Sequence, residues 1–155
     1  MYESKAFVLI RWVAQVDTLL NKQSGLLGIA GTADLRVITE RAASGDAQAQ
    51  LAIDVYVHRV RRYLGSYFVA LDGAVDALVF SAGIGENAAD IRARILRGLE
   101  GLGVALDVAQ NDAMVGGRQG PVHAGSSRVQ VLVIPTNEEL SIAQQTLQTV
   151  SQETP

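Results

Sequence analysis

The segment Val79–Asp90, reading VFSAGIGENAAD, constrains this chain more than any other. An apolar run meets two glycines one residue apart, and a helix-compatible stretch follows. That order predicts a strand, a tight turn and a helix, the building block of an α/β layer. Gly83 and Gly85 allow the backbone to turn sharply and to approach a ligand closely. The helix that follows points free N–H groups back at the turn, an arrangement that commonly holds a nucleotide. The corner alone does not specify which nucleotide, or for what chemistry.

The flanking segments extend the alternation. Val13–Leu20 reads as helix, broken by Asn21–Gly25. Leu26–Thr32 (LLGIAGT) is apolar with two glycines and reads as a strand or extended turn. Asp34–Ala43 is a short helix ended by Ser44-Gly45, and Asp46 is a good N-cap for the next segment. Ala47–Leu71 is the longest helical pattern, with Leu51, Val55, Tyr63, Tyr67 and Phe68 among its recurring apolar positions; its aromatics read as core. Asp72-Gly73 ends it. Ala74–Ala82 lacks alternation, as expected of a strand buried on both faces. The helix after the glycines is expected to run to about Gly101, with Gly103–Asp107 as a further short strand. Asn111–Gly120 reads as loop or irregular helix, and Val122–Ser127 and Arg128–Pro135 as a pair of strands. Asn137–Val150 is a last helix, with Thr136-Asn137-Glu138-Glu139 fitting a capping box and a frayed polar tail beyond Ser151. The class is α/β with a mixed sheet, expected as a single domain over 1–155. The chain opens on a helix with no preceding strand, as though partway through a fold.

Composition removes several functions. The 155 residues include no cysteine, so disulfides, zinc-thiolate sites and cysteine nucleophiles are excluded. A net charge of −3 argues against a general nucleic-acid binder. Arginines cluster at Arg59, Arg61 and Arg62, and at Arg92, Arg94 and Arg97; the first cluster reads as a solvated helix face. No stretch is long and apolar enough to span a membrane. Ala6–Val16 is interrupted by Arg11 and reads as helix, not signal peptide. A cytoplasmic protein is expected.

Three candidate sites stand out. Gly83-Ile84-Gly85-Glu86-Asn87-Ala88 matches G-x-G-x-x-A, and Asp107 ends the next expected strand, close to a dinucleotide fingerprint; the alternative is a tight turn with no ligand. Asn87 adds a group able to read a base or sugar, and Glu86 suits a helix N-terminus. Thr136-Asn137-Glu138-Glu139 also sits where a strand hands over to a helix. Capping explains Glu139 and leaves Glu138 unexplained, and a carboxylate there could hold Mg²⁺. Asp34 and Arg36 follow a glycine turn and could clamp a polar ligand, or form a surface turn with an N-capping Asp. No G-x-x-x-x-G-K-[ST], H-E-x-x-H or G-x-S-x-G is present. His58 lies in the long helix, and His123 has no evident partner. No general base or nucleophile emerges.

The three sites occur together and in order in one known family. The blocks LLNKQSGLLGIAGTADLR (Leu19–Arg36), ALVFSAGIGENAADIRARILRGLEGLGVALD (Ala77–Asp107) and VLVIPTNEELSIAQQT (Val131–Thr146) resemble the C-terminal part of the acetate and propionate kinases. The segment AQLAIDVYVHRVRRYLGSY is similar to that family's long helix. The resemblance implies an actin-like, ribonuclease-H-like α/β architecture shared with sugar kinases. It implies transfer of the ATP γ-phosphoryl group to a short-chain carboxylate, acetate or propionate, with Mg²⁺, in a homodimer. Carried over by motif, Gly83, Ile84, Gly85, Glu86 and Asn87 would line the adenosine pocket. Asp34, Leu35 and Arg36 would form another side of the nucleotide site, and Glu138 would bind Mg²⁺ directly or through water. Thr32-Ala33 stands where the family usually has a serine pair, the turn there is one residue shorter, and Leu35 replaces what is often an aromatic or Met. The family's N-x-G-S-S-S phosphate loop, its H-x-G-x-G region and its catalytic Arg and His are not in this sequence. A C-terminal portion of a longer kinase is therefore expected, with no catalytic residue in this chain and no turnover by it alone.

Overall fold

The structure, a computed structural model, describes residues 5–152, with side chains from Trp12 to Ser151. The polar tail expected to fray beyond Ser151 lies outside the described residues except for Gln152. The chain divides into two units, the first ending at Leu64 and the second beginning at Gly65.

The first unit is helical. It contains α1 (Lys5–Lys22), α2 (Leu26–Ala30), α3 (Leu35–Ala43) and most of α4 (Ala47–Ala70), which continues into the second unit. Leu26–Thr32 is thus a helix and turn, not the expected strand. A short apolar run does not distinguish a strand from a buried helix turn. Here Gly25, at φ 65°, starts the helix, and Gly31, at φ 75°, ends it by donating to the carbonyl of Leu27. Helices α3 and α4 start as the sequence predicts. Asp34 accepts from the Arg36 amide, and Asp46 accepts from the amides of Gln48 and Ala49. Arg41 joins these pieces: its guanidinium donates to the Ala30 carbonyl at 2.6 Å and pairs with Asp46 at 2.7 Å. Buried here are Ala30, Leu35, Ile38, Ala49, Ala52 and Ile53. Tyr63 and Tyr67 of α4, expected in the core, are exposed, and the buried aromatic of that helix is Phe68. The apolar pattern of α4 is wider than the face this chain buries.

The second unit is built on a three-stranded mixed sheet, β1 (Ala77–Phe80), β2 (Gly120–Pro121) and β3 (Gln130–Val133), in the order β1-β3-β2. β1 runs parallel to β3, with Phe80 opposite Val133, while β2 is antiparallel to β3. β3 carries the core through Val131 and Val133, joined by Val122, Val129 and Val104. β1 is not buried on both faces as expected, because Val79 is exposed. No strand forms over Val122–Ser127; β2 lies just before it, and within it only the Val122 amide bonds to Val131 and His123 makes an isolated bridge to Leu106. That bridge is also all that forms of the expected strand Gly103–Asp107. His123 does have a partner: its Nδ1 accepts from the Val131 amide at 3.1 Å.

The helix after the glycines is shorter than expected. It is split into α5 (Ala82–Asn87) and α6 (Ala89–Leu96), and Gly98, at φ 73°, prevents its extension to Gly101. A 3₁₀ turn (Glu100–Leu102) and α7 (Val108–Ala113) follow. Asp107 caps α7, both carboxylate oxygens being used by Gln110. The last helix, α8 (Glu138–Gln152), is capped by Asn137, whose side chain accepts from the Leu140 amide. The Thr136–Glu139 capping box does not form, because the Thr136 hydroxyl is directed elsewhere.

Arg92 holds this unit together. It is 1% exposed, and all five of its N–H donors are used. Nε donates to the Asn111 side-chain oxygen, Nη1 to the carbonyls of Gly85 and Glu86, and Nη2 to those of Asn111 and Met114. The guanidinium therefore caps the C-terminal ends of α5 and α7 together, where carbonyls lack helical partners and the dipole favours a cation. Asn111 returns a bond from Nδ2 to the Ala89 carbonyl at 2.9 Å. Burial pulls the guanidinium below its ordinary pKa, opposed by the charges of Asp112 and Asp90. Arg92→Met would leave the two buried Asn111 acceptors unpaired, at about 1–3 kcal/mol each, and would strip the part-buried carbonyls of Gly85, Glu86 and Met114 of their donor. A loss of at least about 3 kcal/mol is expected in urea unfolding followed by circular dichroism. Arg92→Lys, with three donors, should fall between the two.

Candidate functional site

The parallel pairing of β1 with β3 builds the site. Because Phe80 lies opposite Val133, both strands end at one level, and the Ile134 amide donates to the Phe80 carbonyl. Each strand then hands over to a helix, β1 to α5 and β3 to α8. A crevice outside the carboxyl ends of parallel strands is the usual ligand position in α/β sheets. Here it is an open cleft of about 390 Å³, lined by Ala82, Gly83, Glu86, Thr136, Glu138 and Glu139.

The turn is not made by the glycines. The left-handed residue is Ala82, at φ 60°, while Gly83 and Gly85 lie within α5 at negative φ. A left-handed conformation costs a non-glycine residue roughly 1–2 kcal/mol, so the corner is strained and other contacts must hold it. The two glycines have different reasons. A Cβ on Gly85 would meet the Phe80 carbonyl carbon at 3.2 Å, so this glycine lets α5 pack on β1. A Cβ on Gly83 would meet nothing within 4 Å, and its surface opens to the cleft.

Polar groups join the two corners. Glu86 does not merely favour a helix N-terminus: its Oε1 accepts from the Thr136 amide at 2.9 Å and from the Thr136 hydroxyl at 3.2 Å. The Thr136 Oγ1 accepts from the Ala82 amide at 3.1 Å and lies 3.0 Å from Ser81 Oγ. Asn87 is engaged on both sides, donating to the Gly83 carbonyl and accepting from the Gly116 amide. Ile84 is 40% exposed. Glu138 stands in the first turn of α8, exposed, and its carboxylate accepts no hydrogen bond from the described residues. No group of three or more His, Asp or Glu side chains able to hold a metal occurs among the described residues. Glu139, also exposed, lines the same cleft, and a free carboxylate there fits Mg²⁺, which keeps several waters and takes one or two carboxylates together with substrate phosphates.

Asp34, Leu35 and Arg36 lie in the first unit. Leu35 is buried, so its side chain serves that unit's core. Arg36 grips Asp34 from two nitrogens, Nε to Oδ1 at 3.1 Å and Nη2 to Oδ2 at 2.7 Å. The clamp expected to face a ligand is thus closed on itself, with the Arg36 side chain 88% exposed.

Sequence reasoning missed the roles of three residues. Arg92 was legible in part, since Ile91, Arg92, Ile95 and Leu96 form one buried helical stripe. The pairing of Ser81 with Thr136 carries no such signal, because it depends on strand register.

This chain is similar in fold to solved acetate and propionate kinases. The acetate kinase of Porphyromonas gingivalis superposes with TM-score 0.79 and 33% identity, over 96% of this chain and 39% of that one. A propionate kinase of Francisella tularensis gives TM-score 0.76 and 40% identity, over 93% and 37%. The chain belongs to the acetokinase family, whose model matches residues 10–144. Among curated relatives, the acetate kinase of Streptomyces avermitilis is 50% identical over 132 residues, 85% of this chain and 32% of its own. The chain thus spans about a third of the length of the curated relatives it matches. No helix among the described residues is long and apolar enough to cross a membrane.

The Asp34–Arg36 pair makes a pH prediction. The Arg36 hydrogen bonds lower the Asp34 carboxyl from 3.8 to about 2. A depressed folded value means that its stabilisation is complete above 3.8 and is lost as pH falls towards 2. Carbon-detected NMR titration should place Asp34 near 2 in the native chain and higher in Arg36→Ala, which loses the guanidinium but keeps the capping amide of residue 36.

Proposed function

We propose that this chain is the nucleotide-side, C-terminal portion of an ATP-dependent acetate or propionate kinase. The observation that carries the reading is the cleft at the ends of β1 and β3, where Gly83 and Glu138 face the same space. The open surface of Gly83 admits close approach by adenosine, with Ile84, Gly85, Glu86 and Asn87 shaping the corner behind it. Glu138 holds Mg²⁺ directly or through water. Mg²⁺, when bound, supplies charge neutralisation to the phosphates; the chain's part is to present one carboxylate beside the corner that receives the nucleotide. Asp34, Leu35 and Arg36 are further nucleotide contacts on the strength of the family resemblance. For Leu35 that contact would come from its backbone.

The acyl acceptor is a short-chain carboxylate, acetate or propionate, and the assembly a cytoplasmic homodimer. Phosphoryl transfer needs cations around the moving group as well as a nucleotide site. This chain offers neither the phosphate loop nor the catalytic Arg and His of the family. The 155-residue polypeptide alone should therefore produce no acetyl phosphate from ATP and acetate; product trapped with hydroxylamine would overturn that part of the reading.

Glu138→Gln removes the charge and keeps the shape. Calorimetric titration should give ATP binding that is strengthened by Mg²⁺ in the native chain. In Glu138→Gln that strengthening should fall by about tenfold, as for a lost charge-assisted contact. Equal Mg²⁺ dependence in both would remove Glu138 from the metal site.

A further inference from the structure

We infer that Thr136 is a positioning residue, whose hydroxyl locks the strained Ala82 corner and sets Glu138 at a fixed place beside it. This rests on the nucleotide and Mg²⁺ reading above, and adds to it the residue that couples the two contacts.

The proton arrangement is dictated by chemistry. A carboxylate only accepts, an amide N–H only donates, and a threonine hydroxyl has one proton and two lone pairs. The Thr136 O–H therefore donates to Glu86 Oε1 and accepts from the Ala82 amide and the Ser81 hydroxyl. Every role of that hydroxyl is filled. The Thr136 amide adds a second, shorter bond to the same carboxylate oxygen at 2.9 Å.

Two observations give the arrangement a purpose. Ala82 sits at φ 60°, where an alanine remains only when its surroundings over-determine it. Its amide points to Thr136, so the hydroxyl is part of what holds it there. The second concerns α8. Every described side chain from Glu138 to Ser151 is exposed, so α8 gains no placement from packing of its own. Its start is located by the end of β3 and by Thr136. Two residues after Thr136 comes Glu138. With the hydroxyl removed, the glycine corner and the carboxylate become separate elements, each free to shift.

The chain's own consequence is cooperativity between nucleotide and cation. Two ligands held at fixed separation by one network help each other to bind, and the coupling is reciprocal. Thr136→Val keeps the branched shape and deletes the hydroxyl, while Thr136→Ser keeps the hydroxyl.

The test uses the full chain in two measurements. Amide hydrogen exchange without ligand should find Ala82 protected in the native chain and in Thr136→Ser, and at least about tenfold faster in Thr136→Val. Calorimetry with ATP, with and without Mg²⁺, should give a Mg²⁺-dependent gain in affinity that falls at least about fivefold in Thr136→Val and returns in Thr136→Ser. An unchanged gain in Thr136→Val overturns the positioning role while leaving the nucleotide reading intact. Unchanged Ala82 exchange overturns the lock itself. Absence of ATP binding by the native chain overturns both readings, and is told apart because it needs no variant.

Discussion

The second unit depends on one buried cation. Arg92 has no carboxylate in contact; four backbone carbonyls and the Asn111 side chain receive its five N–H groups. Those carbonyls lie at the ends of α5 and α7, where helical partners run out and a donor is needed. A buried charge is tolerated only when every hydrogen bond is made, and here every one is. The same atoms that solve the capping problem hold the back of the glycine corner. Arg92 fixes the end of α5, Gly85 permits its packing on Phe80, and Thr136 holds its beginning through Ala82.

The corner is thus stiff from three sides and open on the fourth. Its opening is where Gly83 and Glu138 meet the cleft. Strain at Ala82 fits this picture, since a left-handed alanine persists only in a framework that holds it. Binding sites placed on such frameworks need little reorganisation when the ligand arrives. The first unit solves a comparable problem differently. There Arg41 pins the end of α2 and the cap of α4 through Ala30 and Asp46.

Much of the local structure was legible. The starts of α3 and α4 follow from Asp34 and Asp46, which cap them as their residue types predict. The long helix α4 follows from its periodicity. Errors fell where a short apolar run admits two conformations, as in Leu26–Ala30, and where a cap had two candidates. At the start of α8, Thr136 and Asn137 both suit capping. Asn137 does it, because Thr136 is drawn to Glu86, 50 residues away. Of the expected site residues, Gly83, Glu86 and Glu138 come to one cleft. Asp34 and Arg36 are paired with each other, and Leu35 is buried. Such pairing is local, yet i to i+2 spacing does not say whether two opposite charges face one another or a ligand.

By itself the sequence determined the strand-to-helix corner, the two capping aspartates and the family. These depend on residue type and short spacing, which chain geometry converts directly into structure. Tertiary structure decided the rest. Only the parallel register of Phe80 with Val133 brings Ser81, Ala82 and Glu86 to Thr136. Only packing turns Arg92 from one of three clustered arginines into a buried cap for two helices. The physical reason is shared. Hydrogen bonds between residues far apart in sequence are selected by burial and register, and neither is written in the spacing of residues along the chain.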